Sequence, residues 1–168
     1  MRWQTAPGDP RDLLAGLAEE VWGLSPLPEI AALPGGKPWF PARPDCRFSL
    51  SHSGRLGLCA VSEHPVGADV ERLRPRREAL PRYVLDDREF AWFRARGCAW
   101  GDFYTLWTLK EARVKCTGEG LRRPAREIAV PLLVPGARAC RDGFRFTALA
   151  GEDWRGAVCE GPFSVNDL

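Results

Sequence analysis

The sequence predicts an α+β fold, and three observations predict it. A helical apolar period opens the chain, short alternating or wholly apolar runs follow it, and a long two-faced helix stands before a last group of strand-like runs. Helices and strands grouped in this way build a sheet with helices packed on it, not a parallel sheet of strand–helix–strand units. Hydrophobic residues make up 45% and charged residues 27% of 168 residues, enough for a real core in one domain or two small lobes. No apolar run approaches the roughly 20 residues of a membrane span, and Met1 to Pro7 lack the apolar stretch of a secretory leader. A net charge of +2 is too small to imply a nucleic-acid partner. The six cysteines (Cys46, Cys59, Cys98, Cys116, Cys140, Cys159) form no C-x-x-C pair, which argues against zinc and for buried, reduced thiols in a cytoplasmic protein.

The first helix is expected from Asp9 to Leu24. Asp9 can cap it, Pro10 suits its first turn, Leu13, Leu14, Leu17 and Val21 form its stripe, and Gly23 and Pro26 stop it. Residues 25–46 are rich in Pro and Gly and read as an irregular connector holding Gly36-Lys37-Pro38-Trp39-Phe40. Arg47 to Ser51 alternates as a half-buried strand, His52-Ser53-Gly54 turns, and Leu56 to Val61 returns as a buried strand, so the two form a hairpin. Val66 to Glu71 is another strand. Its Asp69 and Glu71 share one face with Cα atoms about 6.5–7 Å apart, while Val66, Ala68 and Val70 take the other. Helices are expected over Asp86–Arg96 and Trp100–Thr117, with Gly118 as a stop. Arg122-Arg123-Pro124 reads as a loop, and Ile128–Val130, Phe144–Thr147 and Gly156–Cys159 as closing strands.

The stretch from Trp107 to Lys115 carries the chemistry. Residues three and four apart share a helix face, which groups Trp107, Lys110, Glu111 and Lys115 and leaves Leu106, Leu109 and Cys116 for the core. Two readings stay open for that face. One is a solvated surface with a Glu111–Lys115 pair worth a few tenths of a kcal/mol. The other joins it to Asp69 and Glu71. Three carboxylates around one hard cation leave coordination positions for phosphate oxygens, and flanking lysines neutralise the rest, a site for a polyphosphate ligand.

Phe48-Ser-Leu-Ser-His-Ser-Gly54, Gly67-Ala-Asp-Val-Glu71, and Trp107-Thr-Leu-Lys-Glu-Ala-Arg-Val-Lys115 followed by Gly118-Glu-Gly120-Leu121 resemble, in order and spacing, the three motifs of 4′-phosphopantetheinyl transferases. The Ser-His-Ser motif and the upstream Gly-Lys-Pro point to the surfactin-type branch. The resemblance implies two small sheet-plus-helix lobes with the active site between them, here a short N-terminal lobe over residues 1–65 and a C-terminal lobe over 66–168. It implies coenzyme A as donor, Mg²⁺ as cofactor, and a serine of an apo acyl or peptidyl carrier protein as acceptor. By the same resemblance Asp69, Glu71 and Glu111 hold the metal. Lys110 and Lys115 contact phosphates, Lys37, Ser51 and His52 bind the coenzyme, and Glu111, Lys115 and Asp69 form the catalytic set with Glu111 helping to remove the serine proton. The first lobe is short for that branch, and no N-terminal strand is evident.

Two other functions compete: a non-catalytic coenzyme A or carrier-protein binding module, and a small basic nucleic-acid-binding domain. The second rests on eight arginines against four acids between residues 72 and 96, and leaves the three carboxylates unexplained. On the transferase reading that segment is the expected carrier docking face, with either Phe90 or Phe93 largely exposed. A monomer or small homo-oligomer is expected, without nucleic acid or membrane.

Overall fold

A computed structural model describes residues 1–120 and 123–163. Its elements form a layered stack of helix, sheet, sheet and helix. The first sheet has the order β1–β5–β4, all antiparallel, built from Arg2–Pro7 (β1), Leu56–Ser62 (β5) and Arg47–Ser53 (β4). Two short strands, Ala31–Ala32 (β2) and Pro38–Trp39 (β3), pair within the connector. The second sheet has the order β6–β9–β8–β7, from Val66–Arg72 (β6), Trp154–Glu160 (β9), Phe144–Ala150 (β8) and Arg138–Arg141 (β7).

Strand alternation decides which layer each side chain joins. On β5, Cys59 and Val61 point to α1 (Pro10–Trp22) and cluster with Leu14, Leu17, Phe40 and Phe48. Leu56, Leu58 and Ala60 point the other way and meet Val66, Ala68, Val70 and Val158 of the second sheet. That cluster bonds sheet to sheet. On its far side the second sheet turns Ala157 and Cys159 toward Leu106, Leu109 and Ala112 of α4 (Trp100–Thr117).

The helices end where local chemistry stops them. Asp9 accepts the Arg11 N–H at 2.9 Å, and Gly23 closes α1 at φ 65°. Ala18 is fully buried there while Val21 is exposed, so the stripe runs through Leu14, Leu17 and Ala18. Asp86 and Glu89 cap each other's backbone at the start of α3 (Asp87–Ala95). Between β6 and α3 the chain adds a short helix, α2 (Leu80–Val84), that periodicity had no room to announce.

Three expectations change. An N-terminal strand exists: β1 pairs with β5 along its whole length, with Thr5 donating to the Gly57 carbonyl at 2.8 Å. Ile128–Val130 is no strand. Val130 is fully buried but serves as a core plug in an irregular segment, and the fourth strand is β7. The turn joining β7 to β8 is Asp142-Gly143, with φ 51° and 79°, the two-residue hairpin signal. Finally, β4 runs through His52 and Ser53, and its turn is Gly54-Arg55.

Gly67 sets how closely α4 approaches β6. A Cβ built there would lie 1.9 Å from the Ala112 carbonyl oxygen and 2.4 Å from the Cys116 nitrogen. Backbone cannot yield as a flexible side chain does, so Gly67→Ala should lower the unfolding free energy by about 2–3 kcal/mol in denaturant titration. Unaltered stability would mean that α4 lifts freely from the sheet.

Candidate active site

The site lies where β4, β6 and α4 meet. Strand β6 pairs with β9 on one edge, so the N–H groups of Ala68, Val70 and Arg72 point to the other edge, where no strand among the described residues pairs with it. Buried amides need partners. Ser49, Ser51 and Ser53, alternate residues on the inter-sheet face of β4, supply them. Ala68 N–H donates to Ser49 Oγ at 2.9 Å, Val70 N–H to Ser51 Oγ at 3.2 Å, and Arg72 N–H to Ser53 Oγ at 3.0 Å.

Two of these hydroxyls also donate to the acids. Ser51 Oγ donates to Asp69 Oδ1 at 3.0 Å, and Ser53 Oγ to Glu71 Oε2 at 3.0 Å. Lys115 reaches down from α4 and donates to Asp69 Oδ1 at 2.7 Å and Ser51 Oγ at 3.0 Å. Ser51 therefore uses its one donor and both acceptor positions inside the protein. Asp69 Oδ2 and Glu111 Oε1 are buried without a hydrogen-bond partner among the described residues.

Electrostatics reflect that crowding. Burial pushes Asp69 above its usual range against the pull of the Lys115 ammonium and Ser51. Glu111 is pushed up to about 7, first by burial and then by the charges of Asp69 and Glu71, with Lys115 opposing. The charges of Asp69 and Glu71 thus reach Glu111 across the helix–sheet seam. Among the described residues no group of three or more His, Cys, Asp or Glu side chains is gathered tightly enough to hold a metal ion. The donors nonetheless suit a hard cation: all are carboxylates, and two of their oxygens are buried and unpartnered.

A cleft of about 230 Å³ opens beside Lys115, lined by the Gly35-Gly36-Lys37 loop, Leu50, Val114 and Gly118. Leu50 also borders a shallower depression with His52 and Arg11, and Val114 borders a third with Arg113 and Arg123, so the concavities adjoin in series.

Other expected residues lie elsewhere. Lys110 is fully buried on another side of α4, with Nζ 2.8 Å from Glu89 and donating to the Ile128 and Ala125 carbonyls at 2.8 and 3.0 Å. It does not line the cleft beside Lys115, and its ammonium is bonded inside the protein as a structural cation. Lys37 lines the cleft, but its ammonium donates to the Val66 carbonyl at 3.0 Å and the Cys116 carbonyl at 2.8 Å, and burial lowers its pKa. It clamps the free edge of β6 to the end of α4. His52 points to the opposite face of β4 from Ser51 and Ser53, beside the start of α1. Trp107 is half-buried and stacks on Phe103 at 6.4 Å, part of the core margin. On the arginine-rich segment Phe93 is buried and Phe90 only half-buried under the Arg82 guanidinium, so neither is largely exposed; Tyr83 is, at 74%. Cys98 and Cys140 are exposed, so only four of the six thiols are buried. Ser53 escaped the sequence reading as a functional residue, although the Ser-x-Ser-x-Ser spacing of Ser49, Ser51 and Ser53 puts three hydroxyls on one strand face.

A profile of the 4′-phosphopantetheinyl transferase superfamily matches residues 65–159, and the chain belongs to that superfamily. It stands on the surfactin-type branch and is of the phosphopantetheinyl transferase enzyme type. A 4′-phosphopantetheinyl transferase of Bacillus subtilis is 32% identical over 88% of this chain and 70% of its own length. The transferase Sfp of Bacillus subtilis strain 168 is 34% identical over 58% of this chain, and the transferase AcpT of Salmonella typhi 40% over 62%. The matched regions amount to 44% of Sfp and 57% of AcpT, so the chain spans about half the length of these two relatives. Among the described residues no helix is long and apolar enough to cross a membrane.

The structural reading of Lys110 has a direct test. Lys110→Met leaves the Glu89 carboxylate buried and unpaired and should cost about 3–5 kcal/mol in denaturant unfolding. Adding Glu89→Gln should recover at least half of that loss. A stable Lys110→Met protein with weakened coenzyme A binding would return Lys110 to the ligand.

Proposed function

We propose that this chain transfers 4′-phosphopantetheine from coenzyme A to a serine hydroxyl of an apo acyl or peptidyl carrier protein. The observation that carries the reading is the pair of buried, unpartnered oxygens on Asp69 and Glu111, set beside the Lys115 ammonium at the wall of a cleft. In this reading Asp69, Glu71 and Glu111 would hold Mg²⁺, which when bound would offset the charge of the donor's pyrophosphate. Lys115 would balance the remaining phosphate charge as a point cation. The serine Oγ attacks the β-phosphorus, the bond to 3′,5′-ADP breaks, and the serine proton passes to Glu111 directly or through water. In the metal-free chain burial and the charges of Asp69 and Glu71 raise Glu111 to about 7; with the metal bound it would be ionised, the form in which a carboxylate accepts a proton.

The cleft and the two depressions beside it form an extended track, as a long, jointed donor requires. His52 and Arg11 would meet one end of that donor; Lys37 would shape the wall, and Ser51 would act on the coenzyme through Asp69 and Lys115, both keeping their internal bonds. The carrier would dock on the arginine-rich segment after β6, where Arg77, Arg82 and Tyr83 are exposed. A solvated cytoplasmic setting suits both substrates.

The transfer itself is tested by mass: incubation with coenzyme A, Mg²⁺ and a panel of apo carriers should add one phosphopantetheine group, and no gain on any carrier sinks the reading. Glu111→Gln sharpens it. Transfer should fall by about 10²-fold or more if Glu111 accepts the serine proton. Stability should move the other way. A carboxyl whose pKa rises on folding is penalised once pH exceeds its unfolded value of 4.5, and the penalty grows until about pH 7. The metal-free Glu111→Gln protein should therefore melt higher than the parent at pH 8, with the difference vanishing below pH 4.5. A lower melting temperature at pH 8 would contradict the burial argument.

A further inference from the structure

We infer that Ser53 is a positioning residue that fixes the orientation of Glu71, as Ser51 fixes that of Asp69, so that each acid on β6 keeps one oxygen tethered and turns the other to the ligand. The inference rests on the transferase reading for the identity of that ligand as a divalent cation. Ser53 stands in the Ser-His-Ser motif, yet the resemblance gives it no role, and the family match over residues 65–159 does not reach it.

The geometry repeats with the two-residue period of the strands. Ser51 accepts the Val70 N–H and donates to Asp69, the residue before it; Ser53 accepts the Arg72 N–H and donates to Glu71, again the residue before it. Both contacts to the acids are 3.0 Å. On Asp69 every hydrogen bond falls on Oδ1, from Ser51 and Lys115, and Oδ2 is left buried and bare. On Glu71 the tether falls on Oε2. A glutamate has one more rotatable bond than an aspartate, and untethered it would spread over several rotamers. The hydroxyl removes that freedom before any ligand arrives. Ser49 completes the comparison. It caps the Ala68 N–H at 2.9 Å in the same way, yet no hydrogen bond joins it to a carboxylate among the described residues. The three serines thus share one structural task, and two of them carry a second.

Residues that orient metal-binding carboxylates are worth roughly 10- to 100-fold in metal affinity. The test measures Mn²⁺ uptake by the protein with coenzyme A present, from the loss of the free-ion electron paramagnetic resonance signal. The proteins are the parent, Ser53→Ala, Ser53→Thr and Ser49→Ala, with thermal unfolding recorded for each. Ser53→Ala should weaken Mn²⁺ binding about tenfold or more, Ser53→Thr should recover it to within about threefold, and Ser49→Ala should lose comparable stability while changing Mn²⁺ binding less than about twofold. Equal weakening by Ser49→Ala and Ser53→Ala would reduce Ser53 to an edge cap and overturn the inference, as would unchanged binding in Ser53→Ala. A parent protein that takes up no Mn²⁺ overturns it too. A parent that takes up Mn²⁺ but modifies no carrier overturns the transferase reading alone.

Discussion

Among the described residues no strand pairs its backbone with the outer edge of β6, and the site depends on how that edge is closed. An open edge invites pairing with another chain and leaves amides unpaired. A further strand would close it with backbone alone. Here side chains close it: three serine hydroxyls take the amides of Ala68, Val70 and Arg72, and the Lys37 ammonium takes the Val66 carbonyl. A hydroxyl differs from a backbone carbonyl in having a proton left to give. That proton goes to Asp69 and to Glu71, so closing the edge and orienting the acids are one act. Lys37 adds the third element, because the same ammonium also takes the Cys116 carbonyl in the last turn of α4, where helix carbonyls lack internal partners.

The charge of the site is deliberately out of balance. Three carboxylates stand against the Lys115 ammonium, leaving two negative charges when all are ionised. Within the chain alone that excess is relieved by protonation, which is why burial and its neighbours push Glu111 up to about 7. A divalent cation would relieve it equally well and would let all three acids ionise. The buried pair on the other side of α4 shows the contrasting solution. Glu89 and Lys110 are both fully buried at 2.8 Å and cancel one for one, with backbone carbonyls completing the ammonium's bonds. That pair is balanced in charge and structural, although Glu89 Oε1 also finds no hydrogen-bond partner among the described residues; the acid cluster is unbalanced and awaits charge.

Much of this was legible in the residues, and the failures have definite causes. Helix ends were readable because capping is local: Asp9 and Gly23 bound α1, and Gly118 stops α4 at φ 73°. Edge strands β1 and β7 were not, since exposed edges mix polar and apolar residues, although Asp142-Gly143 marked the second hairpin. The Lys115 charge reaches Glu111 because four residues carry a helix only about 40° off a full turn. Lys110 failed by the same arithmetic, lying about 140° around the axis from Lys115. The commitment of Lys37 to two distant carbonyls was beyond any local pattern, because its partners are 29 and 79 residues away.

The hydrophobic core between the sheets is therefore part of the site's machinery. The serines belong to the first sheet and the acids to the second, so their 3.0 Å contacts hold only while the sheets keep their mutual register. Leu56, Leu58 and Ala60 on β5 lie directly across from Ser53, Ser51 and Ser49 and share their face. The packing of those apolar residues against Val66, Ala68 and Val70 is what presents the hydroxyls to β6. A slip of β4 by one residue would turn His52 and Leu50 toward β6 and all three serines toward α1. The slip would strand three amides and free both acids at once. Apolar burial thus fixes register, register places the hydroxyls, and the hydroxyls aim the carboxylates at the seam where α4 brings Glu111 and Lys115.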